Sequence, residues 1–180
     1  MYEIERRWLV PNLDITKIEN CSFVDIEQGY LETGLRVRIQ TNTLLSEGFL
    51  TKKTGKGQKR KEIEVDIPVE AAKLLLETTK LKISTRRYFY DDWEIDVFKD
   101  KLQGLVLIEY EQFSKNEDDN HVWPELPDFV VGAVEVTDTL TNKQLAITSN
   151  IVSGFNLKNY ARDYSLPIIV LTGPPCAGKS

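Results

Sequence analysis

Apolar and charged residues alternate along the opening of the chain. In YEIERRWLV an extended strand sets Tyr2, Ile4, Arg6, Trp8 and Val10 on one face and Glu3, Glu5, Arg7 and Leu9 on the other. The same period of two recurs further on. LRVRIQ sets Leu35, Val37 and Ile39 against Arg36, Arg38 and Gln40, and EIEVDI sets Ile63, Val65 and Ile67 against Glu62, Glu64 and Asp66. WEIDVF sets Trp93, Ile95 and Val97 against Glu94 and Asp96, and IEYE sets Ile108 and Tyr110 against Glu109 and Glu111. FVDIEQGYLE, GFLTKK, KISTRRYFY and AVEVTD complete the predicted strands, with KISTRRYFY and WEIDVF joined as a hairpin across Asp91-Asp92. VEAAKLLLETTK, opened by Pro68, and TNKQLAITSNI predict helices. TGKGQKRK reads as a flexible basic connection, and SKNEDDNH with Pro124 and Pro127 as a loop.

The charged faces carry the information. Like charges two apart on one strand face repel, and a sheet built only for stability avoids them. An antiparallel sheet with one wet face is the ordinary account. Such faces mix threonine, serine, glutamine and lysine, whereas here glutamates come in i, i+2 pairs. If the sheet closes into a barrel with helices packed outside, the charged faces line a tunnel. Such an interior needs ions and ligand to compensate it. Clustered carboxylates are hard oxygen ligands suited to Mg²⁺ or Mn²⁺. Arg36 and Arg38 present planar forks that match phosphate oxygens. A polyphosphate chain carrying its own metal fits a lumen of both signs.

Composition narrows the class. The 180 residues suffice for one domain, or one domain plus a fragment, and 41% apolar with 28% charged residues describes a folded chain. A net charge of -5 provides no domain-wide basic field, so specific nucleic-acid binding is not expected. No apolar run approaches the ~20 residues of a membrane span, and the charged N-terminus lacks a signal core, so a cytoplasmic location is expected. Cys21 and Cys176 have no metal-ligand spacing, and His121 is the single histidine. Carboxylates and metal are therefore favoured over a histidine-activated nucleophile.

These residues carry a family resemblance. EIERRWLV resembles the ExExK signature of the CYTH family, the triphosphate tunnel metalloenzymes. IEQGYL, LRVRIQ, the block from Phe49 to Glu64, WEIDVF, LIEYE, and EVTD followed by NKQLA recur in that family's order, from Tyr2 to Ile147. The resemblance implies an eight-stranded antiparallel β-barrel, mainly β with a few helices. It implies metal-dependent hydrolysis of inorganic tripolyphosphate or a nucleoside triphosphate. Glu3, Glu5, Glu109 and Glu111 fall on its catalytic and metal-binding positions, and Arg7, Arg36, Arg38, Lys53 and Arg87 on its phosphate-binding ones. Glu62, Glu64, Glu94 and Asp96 match other charged tunnel positions. The family pattern selects Lys53 over Lys52. Arg7 replaces the signature lysine, and Thr85 stands where a lysine is common; a slip of register by one puts Arg86 inward instead of Arg87. Alternatives within the family are an adenylyl cyclase or a thiamine triphosphatase. Outside enzymology, the alternative is a polyphosphate- or nucleotide-binding module that regulates a kinase. Lys143 reads as a surface lysine, with a reach from the C-terminal helix to the tunnel mouth as the alternative.

The tail has a different character. GPPCAGKS, Gly173 to Ser180, fits the P-loop pattern GxxxxGK[ST], and IIVLT before it supplies a strand. The expectation is a tunnel domain over 1–160, with 161–180 a linker and the start of a P-loop domain that continues in a longer protein. Trp8 and Trp93 fall on apolar faces and are expected in the core.

Overall fold

The structure, a computed structural model, describes residues 2–56, 59–114, 122–137 and 139–151. The strands are β1 (Tyr2–Leu9), β2 (Ser22–Tyr30), β3 (Arg36–Thr41), β4 (Ser46–Lys56), β5 (Lys59–Ile67), β6 (Lys82–Tyr90), β7 (Trp93–Phe98), β8 (Val106–Ser114) and β9 (Val134–Glu135). Helix α1 (Val69–Glu77) lies between β5 and β6, and α2 (Asn142–Ile151) follows β9. Pairing runs β5-β4-β3-β2-β6-β7-β8-β1, and β1 returns to β5 through Tyr2 opposite Lys61, closing eight antiparallel strands into a barrel. β9 adds two residues beside Trp8 and Leu9. The predicted boundary near Tyr160, the segment 161–180 and His121 lie outside the described residues. Among those described, no helix is long and apolar enough to cross a membrane.

Two local features set the register. The β6–β7 hairpin turns at Asp91, whose φ of 49° lies in the left-handed region that aspartate tolerates better than most residues. That turn places Arg87 opposite Asp96 and Phe89 opposite Glu94. The basic run TGKGQKRK departs from the expected loose connection. β4 extends to Lys56 and β5 begins at Lys59, with Thr54 opposite Lys61 and Gly55 opposite Arg60. Its glycines and lysines resemble a linker, but the alternation of Arg60, Glu62 and Glu64 continues through it.

The apolar faces find three different covers. α1 packs outside β3 and β4, burying Val37, Ile39, Ala72 and Leu76 together, as expected of an outer helix. The helix comes close at Gly48, where a Cβ would meet the Ile67 carbonyl at 2.8 Å and the Ala72 Cβ at 3.1 Å. Trp8, Trp93, Ile95 and Ile108 are covered by irregular chain instead of a helix: Leu13, Ile18, Cys21, Leu126, Phe129 and Val130 close over them. Trp8 and Trp93 meet edge-on, 5.5 Å between centroids, so both are core residues as expected. On β5 the outer Ile63 and Val65 stay exposed.

Helix α2 does not pack on the outside. Leu9, Ile83, Phe98 and Leu107 hold the same strand faces as the lumen charges, and they form one buried cluster with Leu140, Leu145 and Ala146. The helix and the turn before it therefore plug one end of the lumen. A capping box opens α2: Gln144 Oε1 accepts from the Thr141 N–H at 2.8 Å, and Thr141 Oγ1 accepts from the Gln144 N–H at 3.2 Å. Because the plug shares one core with four strands, Leu145→Ala should destabilise the chain by about 2–5 kcal/mol. Denaturant unfolding would measure it; a loss below about 1 kcal/mol would mean the plug packs loosely.

Candidate functional site

Barrel closure turns the charged faces inward. A cavity of about 320 Å³ is lined by Glu3, Glu5, Arg7, Arg36, Arg38, Lys53, Glu62, Glu64, Arg87, Glu94, Glu109 and Glu111. Asp96 is buried behind them as a partner of Arg87. The structure thus brings all thirteen predicted positions to one lumen. Lys53 points inward and Lys52 reaches the Thr33 carbonyl outside, at 3.3 Å. Arg87 faces the lumen, while Arg86 lies on the outer surface against Asp25 at 2.9 Å. Thr85 occupies the lumen-facing register two residues before Arg87 and is buried.

Ion pairs hold this interior in order. Arg7 Nη2 lies 2.9 Å from Glu5 and 2.6 Å from Glu109, while its Nη1 donates to the Leu140 carbonyl at 2.8 Å. One guanidinium therefore ties β1, β8 and the plug. Arg87 donates to both Asp96 oxygens, at 2.7 and 2.8 Å, and also pairs with Glu94 and, at 3.3 Å, Glu109. Arg36 meets Glu62 at 3.0 Å, Arg38 meets Glu64 at 2.9 Å, and Lys53 bridges Glu3 and Glu62 at 2.6 and 2.9 Å. Sequence reasoning missed Arg60, which pairs with Glu5. Its signal was the continued alternation into Glu62 and Glu64. Gln28 and Asn142 also line the cavity and were not singled out.

A second cavity of about 280 Å³ shares Glu5, Arg7, Arg36, Lys53 and Asn142 with the first, so the two adjoin. Tyr30, Arg60, Thr141 and Lys143 are among its further walls. Lys143 is exposed and also lines this chamber. The buried Nε donors of Arg7, Arg36, Arg38 and Arg60 have no acceptor among the described residues. Buried N–H groups without acceptors are costly unless a ligand supplies them, and anionic oxygens do so well.

The carboxylates separate into two sets. Glu5 and Glu109 are clamped by Arg7. Glu3, Glu62 and Glu111 each bring an oxygen within 4.8 Å of the others, and Glu3 Oε2 is buried without a hydrogen-bond partner among the described residues. Three hard oxygens and one orphaned atom fit a divalent cation. The protonation pattern agrees. Burial, reinforced by the neighbouring Glu62 and Glu111 and opposed by Lys53, pushes Glu3 up to about 9. Burial likewise pushes Glu109 up to about 8 against the pull of Arg7. Burial also works against ionising Glu5, but Arg7 and Arg60 outweigh it and hold Glu5 down to about 2. Glu62 is held down to about 2 because Glu3 and Lys53 together outweigh its burial.

These shifts have signs that stability must follow. Glu3 and Glu109 keep protons above the ordinary glutamate value of 4.5, so their contribution is full below 4.5 and lost as pH rises through about 8 and about 9. Glu5 and Glu62 contribute above 4.5 and lose it as pH falls through about 2. In EDTA, the melting temperature should therefore decline between about pH 5 and about pH 9. Glu3→Gln should flatten that decline; an equally steep decline in the variant would show that Glu3 does not carry it.

No family model matches the chain. The inorganic triphosphatase of Nitrosomonas europaea is 33% identical over 127 residues, which span 64% of this chain and 80% of that protein. The crystal structure of the hypothetical protein NE1496 aligns with a TM-score of 0.51 at 29% identity, over 81% of this chain and 97% of that one. The PH1819 protein of Pyrococcus horikoshii shares the fold, with a TM-score of 0.50 at 23% identity over 64% of this chain and 80% of that one. Kinship across four-fifths of the triphosphatase's length joins a closed eight-stranded barrel whose lumen holds the signature residues in register. The chain belongs to the CYTH family of triphosphate tunnel proteins.

Proposed function

We propose that the lumen hydrolyses the terminal phosphoanhydride of a triphosphate with Mg²⁺ or Mn²⁺ held at Glu3, Glu62 and Glu111. The observation that carries this reading is the meeting, in one cavity, of three close carboxylates, one with an oxygen (Glu3 Oε2) that has no hydrogen-bond partner among the described residues, with arginines whose Nε donors have no acceptor there. The trio differs from the four ligands that the resemblance implies. Glu5 and Glu109 lie against Arg7 and hold it in place, while Glu62, which also pairs with Arg36 and Lys53, is the carboxylate that approaches Glu3 and Glu111 and takes a ligand's place. When bound, the cation supplies charge neutralisation and polarisation of a phosphoryl oxygen. Arg36, Arg38 and Lys53 bind the anionic oxygens and offset charge on the transferring group. Arg7 orients the lumen face of β1 and excludes water at the plug end.

Identity with an inorganic triphosphatase supports hydrolysis in preference to binding alone. The P-loop start at Gly173–Ser180 and the cytoplasmic location rest on sequence pattern only and stay part of this proposal. The test is phosphate release from tripolyphosphate and from ATP with Mg²⁺, Mn²⁺ or EDTA. Metal-dependent release is expected, with Glu111→Gln lowering kcat about 100-fold or more, and Arg38→Ala acting chiefly on KM. No release from either substrate, with tripolyphosphate still raising the melting temperature, would make the lumen a binding module.

A further inference from the structure

Lumen-facing positions change character at the mouth opposite the plug. Along β8 the inward residues run Leu107, Glu109, Glu111, Phe113, from the plugged end to the open one. Along β6 they run Ile83, Thr85, Arg87, Phe89. Each series thus passes from apolar plug through the charged belt to a phenylalanine. Phe113 lines the cavity yet is 63% exposed, and Phe89 is 38% exposed. β7 pairs with β8 only as far as Tyr110, so Phe113 stands on a part of the strand that projects beyond that neighbour.

Phe113 also has a defined place relative to the carboxylate trio. It sits directly opposite Glu3 in the β1–β8 ladder and two residues beyond Glu111 on its own strand. Cross-strand neighbours have Cβ atoms about 4.5–5.5 Å apart, and residues two apart on a strand lie about 7 Å apart. The ring is therefore next to two of the three oxygens' residues and open to solvent. An inorganic triphosphate offers such a ring nothing to bind. A nucleotide offers the face of its base, held by one ribose from the phosphates.

We propose that Phe113 is the stacking platform for the base of a nucleoside triphosphate whose phosphates occupy the charged lumen. This rests on the triphosphatase reading and names its organic substrate class. Every base has a π-face, so the platform accepts adenine, guanine and the pyrimidines with modest preference. Glu111, Glu94 and the cation site then meet the phosphates inward of the base.

The test compares kcat/KM for ATP and for tripolyphosphate in the wild type, Phe113→Ala and Phe113→Trp. Phe113→Ala should lower the ATP to tripolyphosphate ratio about tenfold, equivalent to about 1.4 kcal/mol and within what base–aromatic stacking is worth. Phe113→Trp should restore or raise the ratio, and GTP and CTP should follow ATP. A ratio untouched by Phe113→Ala, with tripolyphosphate still hydrolysed, overturns the base platform and leaves the triphosphatase reading standing. A wild type that turns over neither substrate overturns both.

Discussion

Charge removed from water must be compensated, and the lumen of this barrel depends on that constraint throughout. Its strands contribute the carboxylates Glu3, Glu5, Glu62, Glu64, Glu94, Asp96, Glu109 and Glu111 against the cations Arg7, Arg36, Arg38, Lys53, Arg60 and Arg87. Burial raises Glu3 and Glu109 toward the protonated form, which eases the repulsion among these carboxylates.

The apolar architecture serves this arrangement. A barrel closed by the β1–β5 pairing keeps the carboxylates and guanidiniums at fixed distances, and the α2 plug packs apolar residues into one end. Arg7 joins the two systems, because the same guanidinium that neutralises Glu5 and Glu109 hydrogen-bonds the Leu140 carbonyl of the plug. A lysine at that position has no planar fork with which to meet two carboxylates and a carbonyl at once. The substitution in the signature is therefore matched by its surroundings. Like Arg7, the arginines Arg36, Arg38 and Arg60 each keep a buried Nε donor without an acceptor among the described residues.

Much of this was legible in the sequence, because period-two alternation assigns a strand face without knowledge of its partner. Glu3 and Glu109 reached the lumen for that reason, whereas the choice of Arg87 over Arg86 rested on the family resemblance. Alternation alone does not tell which lumen carboxylates will meet an arginine and which will meet each other. That depends on stagger between strands far apart in sequence: Glu62 approaches Glu3 and Glu111 only because β5 closes on β1. Arg60 was hidden by glycine and lysine composition typical of linkers. The plug was hidden because α2 has apolar residues enough for an outer face, and no local signal states which surface a helix will cover.

The central claim is that one divalent cation belongs at Glu3, Glu62 and Glu111 with the triphosphate inward of Phe113. Anomalous diffraction from crystals grown with Mn²⁺ and a slowly hydrolysed triphosphate analogue tests it directly. The account predicts a manganese peak touching oxygens of all three glutamates and of the analogue. A peak between Glu5 and Glu109, with Arg7 displaced from them, would contradict it.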